Sequence, residues 1–528
     1  MYRLVYCSLS IKNKKMNRIL LIITVISAAI MELIDTSIVN VAINHMSGSL
    51  GATLEDTSWV VTSYGIANVI IIPMTGFLVN NLGRRNYYIG SLVLFTLCSF
   101  MCGNASGIWE LVAFRFFQGI GGGALLSVSA TVVYECFPKE KQNIASALFG
   151  IGVFIGPTIG PTLGGHIIDN FSWEWIFYIN IPIGIITAII CYRILPESPT
   201  RKKVKEIDWA GILLLIAGIG SLQTILERGE TEDWFETRYI TILAVIAFLS
   251  LLLFIYRELT TAHPVVKLSI LRSPSLSICA LLTFITGMGM FTSIYLTPVF
   301  AQRLLQFTPS MAGLMLLPGS IIAVFALIIT GRVLQKGVSP ALVVFIGFCC
   351  FIYFNWSMSR VTLDVPFTTI SVNLIFRALG MALLTVPLST LAISSLRSED
   401  IPQGTAINNM MRQLGGSFGI SIINTFIVRR MAQHRSDLVS NITYTNNSVV
   451  ERLDKYTALF QTKGFGHVDA QHRAIGLMDM IVQKQVFMLS YIDAYLFIGA
   501  AFALSLPLLL FFFIRKSNKK IVVAAADH

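Results

Sequence analysis

Charge is what this sequence is short of. Only 13% of its 528 residues are Asp, Glu, Lys or Arg, about half the usual share of a soluble domain, while 55% are hydrophobic and the mean hydropathy is +0.72. A soluble globular chain is excluded, and an integral membrane protein is what remains. The sequence also lacks a P-loop and an HExxH pair, which removes direct ATP drive and the metallohydrolases built on that helix. Cysteine is sparse. Several of the eight cysteines, such as Cys98, Cys102, Cys191 and Cys279, lie in apolar runs, so neither a disulfide framework nor a metal site nor any cofactor is indicated. The formal charge of +11 comes from short basic clusters between apolar runs, which is the pattern of membrane topology and not of nucleic-acid binding.

Crossing about 30 Å of hydrocarbon takes about 20 apolar residues as a helix, and roughly fourteen runs qualify, from 19–43 to 492–514. The first has no small-residue cleavage site and reads as a retained span. Residues before Met16 differ in character, so Met16 is a second candidate start. Basic residues fall in every second loop: Arg84 and Arg85, Lys139 and Lys141, Arg201, Lys202, Lys203 and Lys205, Arg332 and Lys336, and Arg397, with Arg515, Lys516, Lys519 and Lys520 after the last run. Neutral or acidic loops alternate with them. The alternation predicts an even number of spans and both termini in the cytoplasm of a multi-pass protein of the cytoplasmic membrane. The polar stretch 429–490 is then an external domain or helical hairpin.

The organisation that follows is a cytoplasmic tail (1–18), a six-helix bundle (19–195), an inserted pair of helices (196–260), a second six-helix bundle with the external loop (261–515) and a cytoplasmic tail (516–528). The halves echo each other. Arg115 in AFRFFQGIGGG is matched by Arg377 in IFRALGMALL, and GFLVNNLGRR by GRVLQKG, as in duplicated transporters.

The densest motif is GVFIGPTIGPTLGG. Gly152, Gly156, Gly160 and Gly164 stand four apart, with Pro157 and Pro161 between them and Gly165 at the end. On a helix this is a side-chain-free stripe where another backbone approaches closely, and the prolines each remove a backbone hydrogen bond. A packed pivot is expected there.

These motifs resemble those of a known family. LIDTSIVNVAI (33–43), GFLVNNLGRR (76–85), LVAFRFFQGIGGG (111–123), GPTIGPTLGG (156–165), WEWIFYINIPIG (173–184), LERGETEDWF (226–235) and RQLGGSFGIS (412–421) are similar, in order and spacing, to the marks of the fourteen-span EmrB/QacA drug and proton antiporters of the major facilitator superfamily. The resemblance implies an all-α fold of two six-helix bundles plus two inserted helices, and export of small lipophilic compounds in exchange for protons. The alternative is a dedicated exporter of one metabolite, siderophore or peptide. In cells with two membranes it further implies a periplasmic adaptor and an outer-membrane channel. In the loop motif of Gly76, Asn80, Gly83, Arg84 and Arg85, this chain departs from the family by carrying Asn80 where an acid is usual.

Asp35, deep in the first span, is the candidate proton carrier: an ionised carboxylate there costs several kcal/mol unless paired, protonated or in water. Glu32 lies three residues earlier on nearly the same helix face, and two neighbouring acids are suited to exchanging a proton for a cation. Arg115 never loses its proton and needs a partner or water. The resemblance gives it a part in proton coupling. Gln118, Asn180, Gln223, Arg377 and Arg412 are the remaining candidates for cavity or coupling groups, and Asp493, at the start of the last span, reads as an interface residue.

Overall fold

The computed structural model describes residues 2–138, 141–197, 207–261, 263–394, 396–443 and 445–509, with side chains from residue 17 onward except at 309, 310 and 398. Lys139, the basic cluster Arg201 to Lys205, Arg515 and the tail 516–528 lie outside the described residues. Among the described residues the chain is helical, with no strand. In lipid an α-helix satisfies its own backbone polar groups, which is why apolar runs of this length settle as helices.

The first half comprises α1 (Tyr2–Leu50), α2 (Leu54–Leu82), α3 (Arg84–Gly103), α4 (Ile108–Glu135), α5 (Gln142–Asn170), the single turn α6 (Trp175–Tyr178) and α7 (Asn180–Ile194). An outlying hairpin follows, α8 (Trp209–Arg228) and α9 (Arg238–Thr260). The second half comprises α10 (Pro274–Leu304), α11 (Pro309–Leu314), α12 (Leu317–Gln335), α13 (Pro340–Met358), α14 (Phe367–Ser394), α15 (Ile401–Val439), α16 (Asn447–Thr462) and α17 (His467–Ser505). Helix starts follow local chemistry. Thr53 caps α2 by accepting the Asp56 N–H, Asp208 caps α8 by accepting that of Gly211, and prolines occupy the first turns of α10, α12, α13 and α15.

Packing repeats between the halves. α1 lies along α5 and α10 along α15; α4 packs on α2 and α3, as α14 packs on α12 and α13. The halves meet where α5 runs against α12 and α14, and where α15 runs against α2 and α4. The α8–α9 hairpin rests on α2 and α15, and α9 turns Ile242, Phe248, Leu252 and Leu253 outward, as a lipid-facing helix should.

Thirteen helical segments among the described residues are long and apolar enough to cross a membrane. One further run, 405–428, lies in α15, which is long enough but too polar by composition. Its polar residues Gln403, Asn408, Asn409 and Arg412 are buried in the bundle and not turned to lipid. The stretch 429–490 is formed by the end of α15, by α16 and by the start of α17, so the last apolar run begins inside a helix that starts at His467. Asp493 joins the two long helices there, 2.5 Å from Arg430 and 2.8 Å from His434.

Candidate functional site

Five helices of the first half converge on Asp35, which has no solvent exposure at all. Arg115 of α4 places Nη1 2.6 Å from Asp35 Oδ2. Asn180, the first residue of α7, donates Nδ2 to Oδ1 at 2.8 Å, and Gln118, one turn beyond Arg115, donates Nε2 to the same oxygen at 3.2 Å. A second tier fixes these donors. Gln118 Oε1 accepts from Arg115 Nη1 at 2.8 Å, and Ser99 Oγ of α3 receives Asn180 and Gln118 at 3.0 and 3.2 Å while donating to the Phe177 carbonyl. Arg115 Nε donates to the Val60 carbonyl of α2, and its guanidinium lies over the Tyr64 ring, 4.2 Å from the centroid. Cation–π contact and a carboxylate together compensate a cation that is 1% exposed. The Asp35–Arg115 pair is neutral only while Asp35 is ionised. Taking away either charge leaves the other buried and uncompensated, a penalty of about 3–5 kcal/mol in buried pairs.

Glu32 has partners of its own. Its Oε1 accepts Asn68 Nδ2 at 3.0 Å and the Tyr64 hydroxyl at 3.3 Å, while Oε2 is buried without a hydrogen-bond partner. The two acids are therefore linked through Tyr64, whose hydroxyl serves Glu32 and whose ring covers Arg115. Tyr64, Asn68 and Ser99 were not singled out from the sequence. For Tyr64 and Asn68 a signal was there, since they stand four apart on α2 and so share a face.

The glycine stripe of α5 faces α1. A Cβ at Gly156 would lie 2.5 Å from Leu33 Cβ, one at Gly164 2.7 Å from Ile38 Cγ1, and one at Gly152 3.2 Å from Ile30; Gly160 rests on Ser37. A Cβ at Gly165 would meet nothing within 4 Å. The helix runs unbroken through Pro157 and Pro161, and elsewhere α5 bridges to the second half through Ser146–Thr390 (2.8 Å) and Thr158–Ser320 (2.9 Å). The second half has a counterpart that the sequence reading did not identify as a stripe. Gly415 and Gly419 of α15 press on the backbone of Phe284 and Met288 of α10, and Gly287 of α10 presses on that of Arg412.

At the loop motif, Gly83 takes φ +90°, a backbone conformation open chiefly to glycine. Arg84 is buried and ties three elements together: it pairs with Glu135 at the end of α4, donates Nη2 to the Pro196 carbonyl at 2.8 Å, and its N–H donates to Glu197 at 2.6 Å. Glu135 thus supplies a carboxylate to Arg84 where Asn80, half-buried, brings none. Arg85 donates to the Tyr192 carbonyl and covers its ring. Gly76 leaves room for Gln403 of α15, 2.6 Å from where its Cβ would be. Gln223 of α8 donates to Glu227 at 2.6 Å and to Ser417 of α15 at 2.8 Å. Arg377 and Arg412 are 7% and 8% exposed, each with an Nη1 that has no hydrogen-bond partner.

Residues 25–420 match the family model of the Major Facilitator Superfamily. The chain is 34% identical to the multidrug export protein EmrB of Escherichia coli K12, over 79% of this chain and 82% of that protein. The chain belongs to the major facilitator superfamily, in its EmrB-type branch. It is thus a multi-pass transporter and not an enzyme. The fatty acid resistance protein FarB of Neisseria gonorrhoeae is 33% identical over the same shares, 79% and 82%. Among solved structures, the human organic anion transporter MFSD10 superposes with a TM-score of 0.58 at 12% identity, covering 93% of this chain and 98% of that one. The proton:xylose symporter XylE gives 0.55 at 14%, covering 77% and 88%. These two likenesses concern the fold.

Proposed function

We propose that this transporter expels small lipophilic compounds across the cytoplasmic membrane in exchange for protons, with both termini on the cytoplasmic side. The carrying observation is the fully buried Asp35, held by Arg115, Gln118 and Asn180 from two other helices. Protonating Asp35 removes the counter-charge of Arg115 inside the bundle, and the resulting penalty favours an arrangement in which the site is wetted and the proton leaves. Asp35 is the proton carrier, Arg115 its obligatory partner, and Gln118 and Asn180 orient the carboxylate. Glu32, with one free carboxylate oxygen, is the second acid and favours cationic compounds. The glycine stripe of α5 and the loop motif around Arg84 hold the first half as one body while the halves rock.

The lipophilic substrate class is supported by the names of the relatives, which speak of multidrug export and fatty acid resistance. In a cell with two membranes, the helices built from 429–490 stand on the outer side and receive a periplasmic adaptor leading to an outer-membrane channel. The direct test is uptake of a lipophilic dye into inside-out proteoliposomes. A proton gradient should drive it, a protonophore should abolish it, and uptake unaffected by the protonophore would refute the reading.

A further inference from the structure

The two halves treat their buried arginines differently. In the first half and the adjoining hairpin each is matched to carboxylates: Arg115 to Asp35, Arg84 to Glu135, Arg228 to Glu55 and Glu232. In the second half Arg377 and Arg412 are buried, and among the described residues neither has an ion pair or a hydrogen bond from its guanidinium. The sequence offers no carboxylate nearby. α10, α12, α13 and α14 contain no Asp or Glu, and the acid of α15, Asp437, lies in its last turn. In α17, Asp493 is taken by Arg430 and His434, and Asp479 by Arg435. A guanidinium cannot shed its proton to relieve this.

Arg412 is the one turned toward the other half. Asn409, one turn before it on the same face of α15, donates to Ser127 Oγ of α4 at 3.3 Å, and Tyr134 of α4 is a neighbour of Arg412. Its backbone is pressed against Gly287 of α10, which leaves the side chain as the free part. Arg377 instead neighbours Tyr495 of α17 within its own half.

We propose that Arg412 is the docking point for the acidic head group of an anionic lipophilic substrate, such as a carboxylate, reached between the halves when they part. This rests on the reading of the chain as an exporter of lipophilic compounds. The planar fork of the guanidinium donates two parallel hydrogen bonds to a carboxylate, and the apolar tail is left to the surrounding helices. A neutral or cationic analogue gains nothing from this contact.

The test uses three probes with one tail, phenylbutyrate, phenylbutyramide and phenylbutylammonium, titrated into the purified full-length protein in nanodiscs. The wild type should bind the carboxylate tighter than the amide by roughly 10- to 100-fold, the size of one charge-assisted hydrogen-bonded contact. Arg412→Gln should bring the two within about threefold while leaving amide affinity in place, and Arg412→Lys should keep part of the preference. Equal binding of acid and amide by the wild type, which needs no variant to fold, overturns the proposal. So does a preference that survives Arg412→Gln. Proton-driven export of the ammonium probe in the same wild-type preparation separates the two readings: if it persists without a carboxylate preference, the exporter stands and the anion site falls.

Discussion

Gly156 of α5 lies against Leu33 of α1 so closely that a Cβ would stand 2.5 Å from Leu33 Cβ, two residues from the buried Asp35. The helix that carries the acid and the helix with the glycine stripe therefore share one seam. Leucine at Gly156 or Gly160 forces that seam apart, and overpacking of this kind costs about 1–3 kcal/mol. Efflux by Gly156→Leu should fall at least about 10-fold at unchanged membrane insertion. Measured dye export at wild-type rate would show that the seam has no working role.

Much of this was legible beforehand. Asp35, Arg115, Gln118 and Asn180, scattered over 146 positions, were each picked out as polar groups in apolar runs, because lipid makes such residues expensive. What stayed hidden is which of them touch. Ser99 and Tyr64 are ordinary residues until the fold puts one under Asn180 and the other under Arg115. The stripe in α5 was visible from its regular spacing, whereas that of α15 is shorter and sits in a polar helix, whose burial depends on partners that hydropathy does not see. Its polarity also sets it apart from the thirteen segments that are apolar enough to cross a membrane.

Arg115→Lys keeps the positive charge but loses the fork that reaches Asp35, Gln118 and the Val60 carbonyl at once. Transport should drop roughly 10-fold or more with a shifted pH profile, since one ammonium makes fewer of these bonds, each worth about 1.5–3 kcal/mol. A dye-export pH series checks this. An unshifted profile at full rate would leave Arg115 a mere structural cation.

Glu32→Gln keeps an acceptor for Asn68 and Tyr64 and removes only the ability to ionise, so the fold should survive. Export of cationic compounds should weaken by about 10-fold while neutral and acidic ones are spared, because only a cation gains Coulomb energy from the second carboxylate. Substrate competition in proteoliposomes reads this directly, and an equal loss for all charge types would assign Glu32 to structure alone.

Replacing α16 and its flanking turns, residues 441–466, by a short flexible linker removes the tip of the helical extension while keeping the ion pairs of Arg430 and Arg435. Binding of substrate by the purified protein should be unchanged. Resistance conferred in a two-membrane cell should fall if an adaptor docks there, and full resistance would make the extension a connector only.

The most direct measurement is proton release on ligand binding, followed in weakly buffered detergent solution with a pH dye, for the wild type and Asp35→Asn. The asparagine keeps the shape and fixes side chain 35 in the uncharged state of the protonated acid, with Arg115 still charged beside it. It still accepts a hydrogen bond from Arg115, so ligand binding should persist while proton release and gradient-driven export both vanish. Full proton release and coupled export by Asp35→Asn would contradict the account and move the carrier to another acid, with Glu32 the first to examine.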